Sequence, residues 1–404
     1  MVDLDFALSQ EHRQLQDRCR ELAADFAVRS NEHDREASHP TENYERLRKE
    51  GFLELSVPKQ FGGAGTSFLG HTVAYEALGQ GCPSTALSFN MHASVVMPLL
   101  DSPIVTQEAK RHVADLVVNR KQLFAGNYSE ASSTAILGER WLDTVVRHTA
   151  DGWSISGRKM FASMLQAADY CLVLARPETA TQATAGAFVL IPRNAPGHTV
   201  VANWDVMGMR ATRSDSLVLD NCQLAESALV YQSDDIRTFR AQTSSWGWGS
   251  YTAVYLGVAN AIYAELVRVV KARQVPGYAQ PIAYHPDVRR QVAQLSVDLE
   301  AARLITYRSA WLYDTYGPTH ETQTALFRAK YCVGETVAKT ARIALTLSGS
   351  HGIFKGGRIE QLYRDGALAP LHAPPSDFCL WNMGIHELSL DPADIMPPLK
   401  PSKV

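Results

Sequence analysis

The sequence predicts an α+β protein in which a helical region, a β region and a second helical region follow one another. From Ser9 to about Val118, apolar residues recur at helical spacing. From about Leu123 to Tyr231, short β-branched and aromatic runs alternate with turn residues, and long helical periodicity returns from Ser244. This order is unusual and carries fold information. It predicts three domains, at residues 1–120, 121–232 and 233–404.

The N-terminal region is expected to begin with a helix after Ser9. Leu15, Leu22, Ala23 and Phe26 lie at spacings that place them on one helical face. Pro58 and the glycines that follow it (Gly62, Gly63 and Gly65) interrupt the helical pattern and predict a loop. Helical pattern resumes over residues 71–78 and 84–100.

The central region is expected to form a small antiparallel sandwich or barrel. Its predicted strands are 153–157, 170–174, 188–191 and 217–219. In the C-terminal region one apolar stripe predicts a long helix, through Val288, Val292, Leu295, Leu299 and Ala302. Further helices are predicted over 322–348 and 378–388.

Composition excludes several classes of protein. The chain has 404 residues, 46% of them hydrophobic, and a formal net charge of -3, which is no footprint for nucleic acid or an anionic membrane surface. The longest uninterrupted apolar stretches, such as 170–174, are too short to span a bilayer. The first residues lack a basic and apolar leader, so no secretory signal is expected. Six scattered cysteines without a CxxC spacing predict reduced, buried thiols in a cytoplasmic protein.

Three motifs occur in a meaningful order along the chain. Residues 53–58 lead into Phe61-Gly62-Gly63-Ala64-Gly65, residues 204–212 read Trp-Asp-Val-Met-Gly-Met-Arg-Ala-Thr, and Gly349-Ser350-His351-Gly352 leads to Tyr363-Arg364-Asp365. Together they resemble the acyl-CoA dehydrogenase superfamily over nearly the whole chain. The resemblance implies an N-terminal helical domain, a central β-barrel or sandwich, a C-terminal four-helix bundle and a homotetramer.

The resemblance also implies a flavin cofactor, FAD with FMN as a possibility. Residues 159–163 match the strand beside the isoalloxazine, where Phe161 would pack on the ring and Ser163 would donate toward N5 or the neighbouring carbonyl. Ser129 lies in the segment that lines flavin and thioester in the family. That segment keeps Glu130 and Ser132 but lacks the usual Pro and Gly.

The flavin phosphates are expected at the end of the predicted helix over residues 258–272, in the C-terminal domain. Arg273 matches the arginine that meets the FAD pyrophosphate, often from a neighbouring subunit, and a guanidinium suits paired phosphate oxygens. Gly349 and Gly352 allow close approach of the backbone to the cofactor. No GxGxxG motif follows a strand, so a nicotinamide site is not predicted.

The catalytic base of the dehydrogenases is missing from both of its usual places. Counted from Arg364-Asp365, the first place holds Ala373, and the second aligns with Gly247. No Asp or Glu occurs between residues 243 and 260. α-Proton abstraction needs a carboxylate near the substrate carbon. Asp377 is the best candidate for a displaced base.

The pair Leu371-His372 resembles the group D flavin-dependent monooxygenases, such as dibenzothiophene monooxygenase and the indole and aromatic hydroxylases. That branch implies an oxygen atom transferred from O₂ through a C4a-(hydro)peroxyflavin, with a separate flavin reductase supplying the reduced flavin as co-substrate. A second histidine of the pattern falls on His92. Histidine suits a proton donor or hydrogen-bond partner near neutral pH, and the expected catalytic residues are His92, His372 and Ser163.

Aromatic side chains on the predicted helix after Ser244 are expected to line a dry substrate pocket. These are Trp246, Trp248 and Tyr251, with Tyr255 beside them. The favoured function is a two-component monooxygenase for an aromatic or flat apolar substrate.

Three alternatives stay open at this point. One is an FAD-dependent acyl-CoA dehydrogenase that uses a displaced base such as Asp377 and an electron-transfer flavoprotein. Another is an inactive flavin-binding scaffold. The histidines and the aromatic cluster could also be plain core residues.

Overall fold

A computed structural model describes residues 8–131 and 141–390. Within these residues the helices are α1 Gln10–Glu36, α2 Thr41–Lys49, α3 Phe68–Gly81, α4 Pro83–Asp101, α5 Gln107–Ala114, α6 Arg237–Ala272, α7 Pro286–Tyr316, α8 His320–Ser348, α9 Arg358–Ala367 and α10 Ser376–Glu387. The strands are β1 Phe124–Asn127, β2 Val145–Thr149, β3 Gly152–Ala162, β4 Tyr170–Pro177, β5 Gly186–Pro192, β6 His198–Val201, β7 Asp215–Leu224 and β8 Leu229–Ser233. The predicted order of helical, β and helical regions is confirmed.

A capping serine and a proline- and glycine-rich loop set limits of the N-terminal helices. The Ser9 hydroxyl caps α1 by accepting a hydrogen bond from the His12 amide at 3.1 Å. The predicted loop after Pro58 contains one short 3₁₀ turn at 59–61. Helices α3 and α4 are buried along nearly their whole length, because they lie between the first helices, the sheet and the C-terminal bundle.

Among the described residues, seven strands follow one another in the sheet in the order β6-β7-β3-β2-β4-β5-β8, and β1 lies off this path and pairs with β4. Most neighbours are antiparallel as predicted, but β1 and β2 each pair with β4 in parallel. Both faces of β4 are buried. Cys171 and Val173 face the core between the two halves of the sheet, whereas Leu172 and Leu174 belong to the core shared with the helices. This sandwich therefore presses one face against the helical domains.

Long helices complete the fold on the C-terminal side. The predicted stripe on α7 is largely buried, as at Leu295, Leu299 and Ala302. One helical segment, Ser245–Ala272 in α6, is long and apolar enough to cross a membrane, which the expectation of short apolar runs overlooked. Most of that segment is buried against α3, α4 and α8, as in a core helix.

A connection between the β region and the helices holds the segment after β6 in place. The Asp365 carboxylate accepts the Met209 amide hydrogen at 2.6 Å, and the Arg364 guanidinium donates to the Met207 carbonyl at 2.9 Å. Arg364 also forms an ion pair with Asp34 of α1. One core thus runs through all three regions, and the domain limits at 120 and 232 stay a prediction.

Candidate active site

The ends of β1 and β3 bring three of the predicted flavin residues together. The Ser129 carbonyl accepts the Met160 amide hydrogen at 2.9 Å, next to Phe161 and Ser163. The Phe161 side chain is 63% exposed although it is aromatic, and its φ is +54°. A left-handed bulky residue is strained, and such strain concentrates at functional sites. The exposed ring fits the proposed stacking on a flavin.

Ser163 is oriented by a chain of hydroxyl groups. Its Oγ lies 2.7 Å from the Ser214 Oγ, which lies 2.9 Å from the Thr212 Oγ1. Thr212 in turn donates to the Met209 carbonyl at 2.9 Å. A hydroxyl can donate once and accept twice, so Ser163 keeps capacity for a further hydrogen bond.

A buried ion pair fixes the segment that follows β1. The Lys159 ammonium lies 2.5 Å from the Glu130 carboxylate, and both side chains are almost fully buried. Burial opposes ionisation of Glu130, but Lys159 and the Thr144 amide outweigh it and hold the pKa of this carboxyl below its usual value. Burial lowers the pKa of Lys159 to about 8, against the opposing effect of Glu130. Ser132 lies outside the described residues.

His372 lies in the loop between α9 and α10, against two tyrosines of α6. Its ring centroid is 4.6 Å from that of Tyr251 and 5.6 Å from that of Tyr255. The His372 Nδ1 and the Tyr255 hydroxyl are both buried, and neither has a hydrogen-bond partner among the described residues. Unpaired buried polar atoms are rare and indicate a place for a ligand or water.

The charge state of His372 differs from the sequence expectation. Burial, assisted by the positive charge of Lys330, lowers the pKa of His372 to about 3. The imidazole is therefore neutral at pH 7, and a role as a proton-donating acid near neutrality is wrong for this geometry. A neutral imidazole can still donate one hydrogen bond.

Tyr251 connects His372 to the flavin residues. Its hydroxyl lies 3.4 Å from the Met91 sulfur on α4. Burial and, secondarily, the nearby Tyr251 raise the pKa of Tyr128, the residue directly before Ser129. Tyr251 therefore contacts His372 and acts electrostatically on Tyr128, which precedes Ser129 in the chain.

His92 does not belong to this group. Its Nε2 donates to the Leu53 carbonyl at 2.9 Å, and its Nδ1 accepts the Phe124 amide hydrogen at 3.1 Å. Burial lowers its pKa to about 4. Because both ring nitrogens are held by backbone groups, His92 has no nitrogen left for catalysis, and we correct that assignment.

Of the two tryptophans of the expected pocket, Trp246 packs in a separate cluster, whereas Trp248 packs in the same apolar cluster as Tyr251. Trp246 packs against Phe68 at 4.9 Å and donates to the Asp101 carboxylate. Trp248 packs against Phe327 at 5.4 Å. Consecutive helical positions turn through 100°, so residues 246 and 248 face different sides of α6. Only Tyr251 of the three predicted pocket residues contacts His372.

Arg273, Gly349 and Gly352 form a separate group where α6 and α8 end. The Arg273 guanidinium donates to the Leu347 carbonyl. A Cβ on Gly349 would lie 2.5 Å from the guanidinium nitrogen of Arg273. Gly349 has φ +67°, a left-handed backbone conformation that favours glycine. Gly352 is buried in the adjacent turn. Within the described chain, no hydrogen bond or ring contact joins this group to Phe161.

The two positions aligned with the missing base hold Gly247 and Ala373, and neither residue carries a carboxylate. A Cβ on Gly247 would meet no atom within 4 Å, and Ala373 offers no titratable group. Asp377 is exposed in the first turn of α10, so it is not placed in the buried site. In residues 8–131 and 141–390, no hydrogen bond or ion pair joins a carboxylate to Tyr251, Tyr255 or His372.

Sequence reasoning missed Lys330 and Ser214. Lys330 is 1% exposed on α8, between the buried residues Ala329 and Val333. A lysine on an apolar helical face was the available signal. Ser214 was visible in the motif that follows Thr212, but its contact with Ser163 joins residues 51 apart in the chain.

Comparisons with known proteins agree with this architecture. The family profiles described as acyl-CoA dehydrogenase N-terminal, middle and C-terminal domains match residues 9–115, 132–222 and 245–371. The putative acyl-CoA dehydrogenase YdbM of Bacillus subtilis (strain 168) is 30% identical over 393 residues, which cover 96% of this chain and 98% of YdbM.

Two solved structures share the fold at lower identity. A glutaryl-coenzyme A dehydrogenase in complex with glutaryl-CoA superposes with a TM-score of 0.86 at 21% identity, covering 96% of this chain and 97% of that one. TdsC from Paenibacillus sp. A11-2 with FMN and indole superposes with a TM-score of 0.84 at 20% identity, covering 93% and 97%. With three profile matches in order and a relative 30% identical over nearly its whole length, this chain belongs to the acyl-CoA dehydrogenase family.

Proposed function

We propose that this chain is a reduced-flavin-dependent monooxygenase that inserts one oxygen atom from O₂ into an aromatic or similarly flat apolar substrate. The family binds FAD, and related structures hold FMN, so the cofactor is a flavin. In this proposal a separate flavin reductase supplies FADH₂ or FMNH₂ in the cytoplasm. The family to which the chain belongs consists of flavin-dependent oxidoreductases, and oxygen insertion is the specific reaction that we propose.

The observation that carries the proposal is the neutral His372 beside Tyr251 where a dehydrogenase needs a carboxylate. A neutral imidazole with a pKa of about 3 cannot remove the α-proton of a thioester efficiently at pH 7. It can orient and stabilise a developing negative oxygen by a hydrogen bond. The buried surroundings of Tyr251 and Tyr255 would strengthen that bond and exclude water.

The chain's residues divide the work as follows. Reduced flavin, when bound, supplies the electrons that activate dioxygen. Phe161 would pack on the flavin ring, and Ser163 would donate its hydroxyl to the polar edge. His372 would donate its hydrogen bond where oxygen is transferred, while Tyr251 holds the imidazole edge-on.

The homotetramer of this proposal gives the separate Arg273 group a role. In the proposed homotetramer, Arg273 and Gly349 would meet the phosphates of a flavin held by a neighbouring subunit. Exposed apolar residues at the C-terminal end support assembly, among them Ile353, Phe354, Trp381 and Leu388.

The substrate class is supported by the aromatic wall and by one neighbour. TdsC has been solved with FMN and indole, a flat aromatic molecule. Tyr251 and Tyr128 are only partly buried and offer aromatic surface on which a flat ring could stack, whereas Tyr255 is almost fully buried.

An acyl-CoA dehydrogenase is the second candidate, and the similarity to YdbM favours it. It requires a base from elsewhere. Burial and, secondarily, the charge of Asp365 raise the pKa of Tyr255, but this buried carboxyl already accepts a hydrogen bond from the Met209 amide. Burial and the neighbouring Asp34 raise the pKa of Asp365 to about 7.

The test mixes purified protein with reduced FMN or FAD, indole or dibenzothiophene, and dioxygen labelled with oxygen-18. We expect one labelled oxygen atom per product molecule by mass spectrometry, only when reduced flavin is present. His372→Ala should lower product formation about 100-fold, as loss of a positioned donor does. The exposed His148→Ala is the matched control and should leave it unchanged.

Two results would oppose the proposal. Reduction of an artificial electron acceptor by butyryl-CoA, through tightly bound FAD, would establish the dehydrogenase instead. Flavin binding without either activity would support the scaffold.

A further inference from the structure

Lys330 is a buried cation that the proposed chemistry does not use. It is 1% exposed on α8, and its ammonium donates to the Ala369 carbonyl at 2.8 Å. No ion pair is formed by Lys330 in the described ranges; Glu335 and Cys379 exert only weaker electrostatic effects on it. An ammonium buried against one carbonyl is costly, so its presence calls for a role.

The contacts of α8 show what Lys330 holds. Ala369 begins the segment that carries His372, and the His372 amide hydrogen bonds to the Leu368 carbonyl. One turn after Lys330, a Cβ on Gly334 would lie 3.5 Å from the Ala369 carbonyl oxygen. At the other end of the segment, the Ser376 hydroxyl donates to Glu335 at 2.7 Å. Hydrogen bonds with α8 therefore hold both ends of the segment that carries His372, at Ala369 and at Ser376.

Lys330 is also the charge that acts on His372. The titratable groups around the imidazole are Tyr251 and Tyr255 of α6, Lys330 of α8 and, beside Lys330, Cys379 of α10. Burial raises the pKa of Tyr251 to about 12 and of Cys379 to about 11, and raises that of Tyr255 further. These groups are neutral at pH 7, whereas Lys330 is cationic and disfavours a second positive charge.

We propose that Lys330 is a positioning residue for His372: its ammonium donates to the Ala369 carbonyl and fixes the turn that holds the imidazole against Tyr251 and Tyr255. The inference rests on the role of His372 proposed above. Burial lowers the pKa of Lys330 to about 8, so its positive charge is lost at moderately alkaline pH, and His372 is neutral on both sides of this change.

The test follows the ring resonances of His372 in full-length protein labelled with ¹³C-histidine, without flavin or substrate. His372→Asn assigns the signals. We expect them to shift with a midpoint of about pH 8 in the native chain, because Lys330 loses its proton there. In Lys330→Gln, which keeps a donor but no charge, and in Lys330→Met, that midpoint should disappear.

Lys339→Met is the matched control, because Lys339 lies on the same helix and pairs with Asp298. It should retain the midpoint. A His372 signal that stays constant across this pH range, or one that shifts equally in Lys330→Gln, would overturn the inference. Failure of the oxygenase proposal would appear separately, as the absence of oxygen-18-labelled product from the native chain.

Discussion

At the scale of single residues, His92 illustrates how a buried histidine can be essential without being catalytic. It bridges the Leu53 carbonyl and the Phe124 amide, and so joins the loop after α2 to the start of β1. A nearby cavity of about 10 Å³ has little room for a water to replace the ring.

We expect His92→Ala to lower the free energy of unfolding by about 2–4 kcal/mol, because two buried backbone groups lose their partner and a cavity opens. Urea unfolding measures this loss. Oxygenation per folded, flavin-bound site should be unchanged, as it should in the exposed control His148→Ala. A large fall in turnover with intact stability would return His92 to the active site.

Packing within the protein does not explain why the aromatic side chain of Phe161 is exposed. Its ring is held only edge-on by Trp204, at 6.1 Å. Phe161→Ala should weaken flavin binding about tenfold, since an aromatic contact contributes roughly 1 kcal/mol beyond its area. Quenching of FMN fluorescence measures the Kd. Tyr316→Ala, another exposed aromatic residue, serves as the control and should bind FMN normally.

At the scale of elements, the crossing of α3 and α6 depends on glycine. A Cβ on Gly257 would lie 2.2 Å from the Glu76 carbonyl oxygen, and one on Gly79 would lie 2.5 Å from that of Val254. The two helices can approach this closely only without side chains at the crossing. The crossing brings Glu76 to Asn260, which donates to its carboxylate at 2.8 Å.

Two glycines of the same helix should therefore respond in opposite ways to alanine. Gly257→Ala should destabilise the protein by about 1–3 kcal/mol, because overpacking forces α3 and α6 apart. Gly247→Ala meets open space and should stabilise α6 by about 0.5–1 kcal/mol. Thermal unfolding of both variants decides the point. Equal effects would show that the crossing is not close-packed.

At the scale of the whole molecule, buried titratable groups set the dependence of stability on pH. Burial lowers the pKa of His39, His71 and His92 to about 4 and that of His372 to about 3, from 6.5. Below pH 6.5 the unfolded chain binds protons on these groups and the folded chain does not. The free energy of unfolding therefore decreases as the pH is lowered. Asp365 acts in the opposite direction, since its pKa is raised to about 7.

Burial also lowers the pKa of His198 and raises that of Asp101 and Asp314. The histidines with lowered pKa values outnumber the carboxyls with raised ones, so the free energy of unfolding should fall between about pH 6.5 and about pH 4, by about 1.4 kcal/mol per pH unit for each net proton. Urea unfolding at several pH values measures the slope. His39→Phe should reduce that slope by one proton, because both of its ring nitrogens are buried without a partner among the described residues. A slope that does not change in this variant would contradict the explanation.

The sequence by itself determined the order of the elements, the start of α1 at Ser9, the buried stripe of α7 and the absence of a carboxylate at residues 247 and 373. These features are local: periodicity and end signals depend on residues a few positions apart. Only the tertiary structure decided that backbone groups of Leu53 and Phe124 bind both ring nitrogens of His92, that Trp246 packs away from Tyr251, and that Lys330 contacts the loop of His372. Periodicity indicates which side of a helix is buried, but the partner that a buried polar group meets comes from a distant part of the chain. Those long-range contacts, through desolvation and hydrogen bonding, fix the charge and the availability of each histidine.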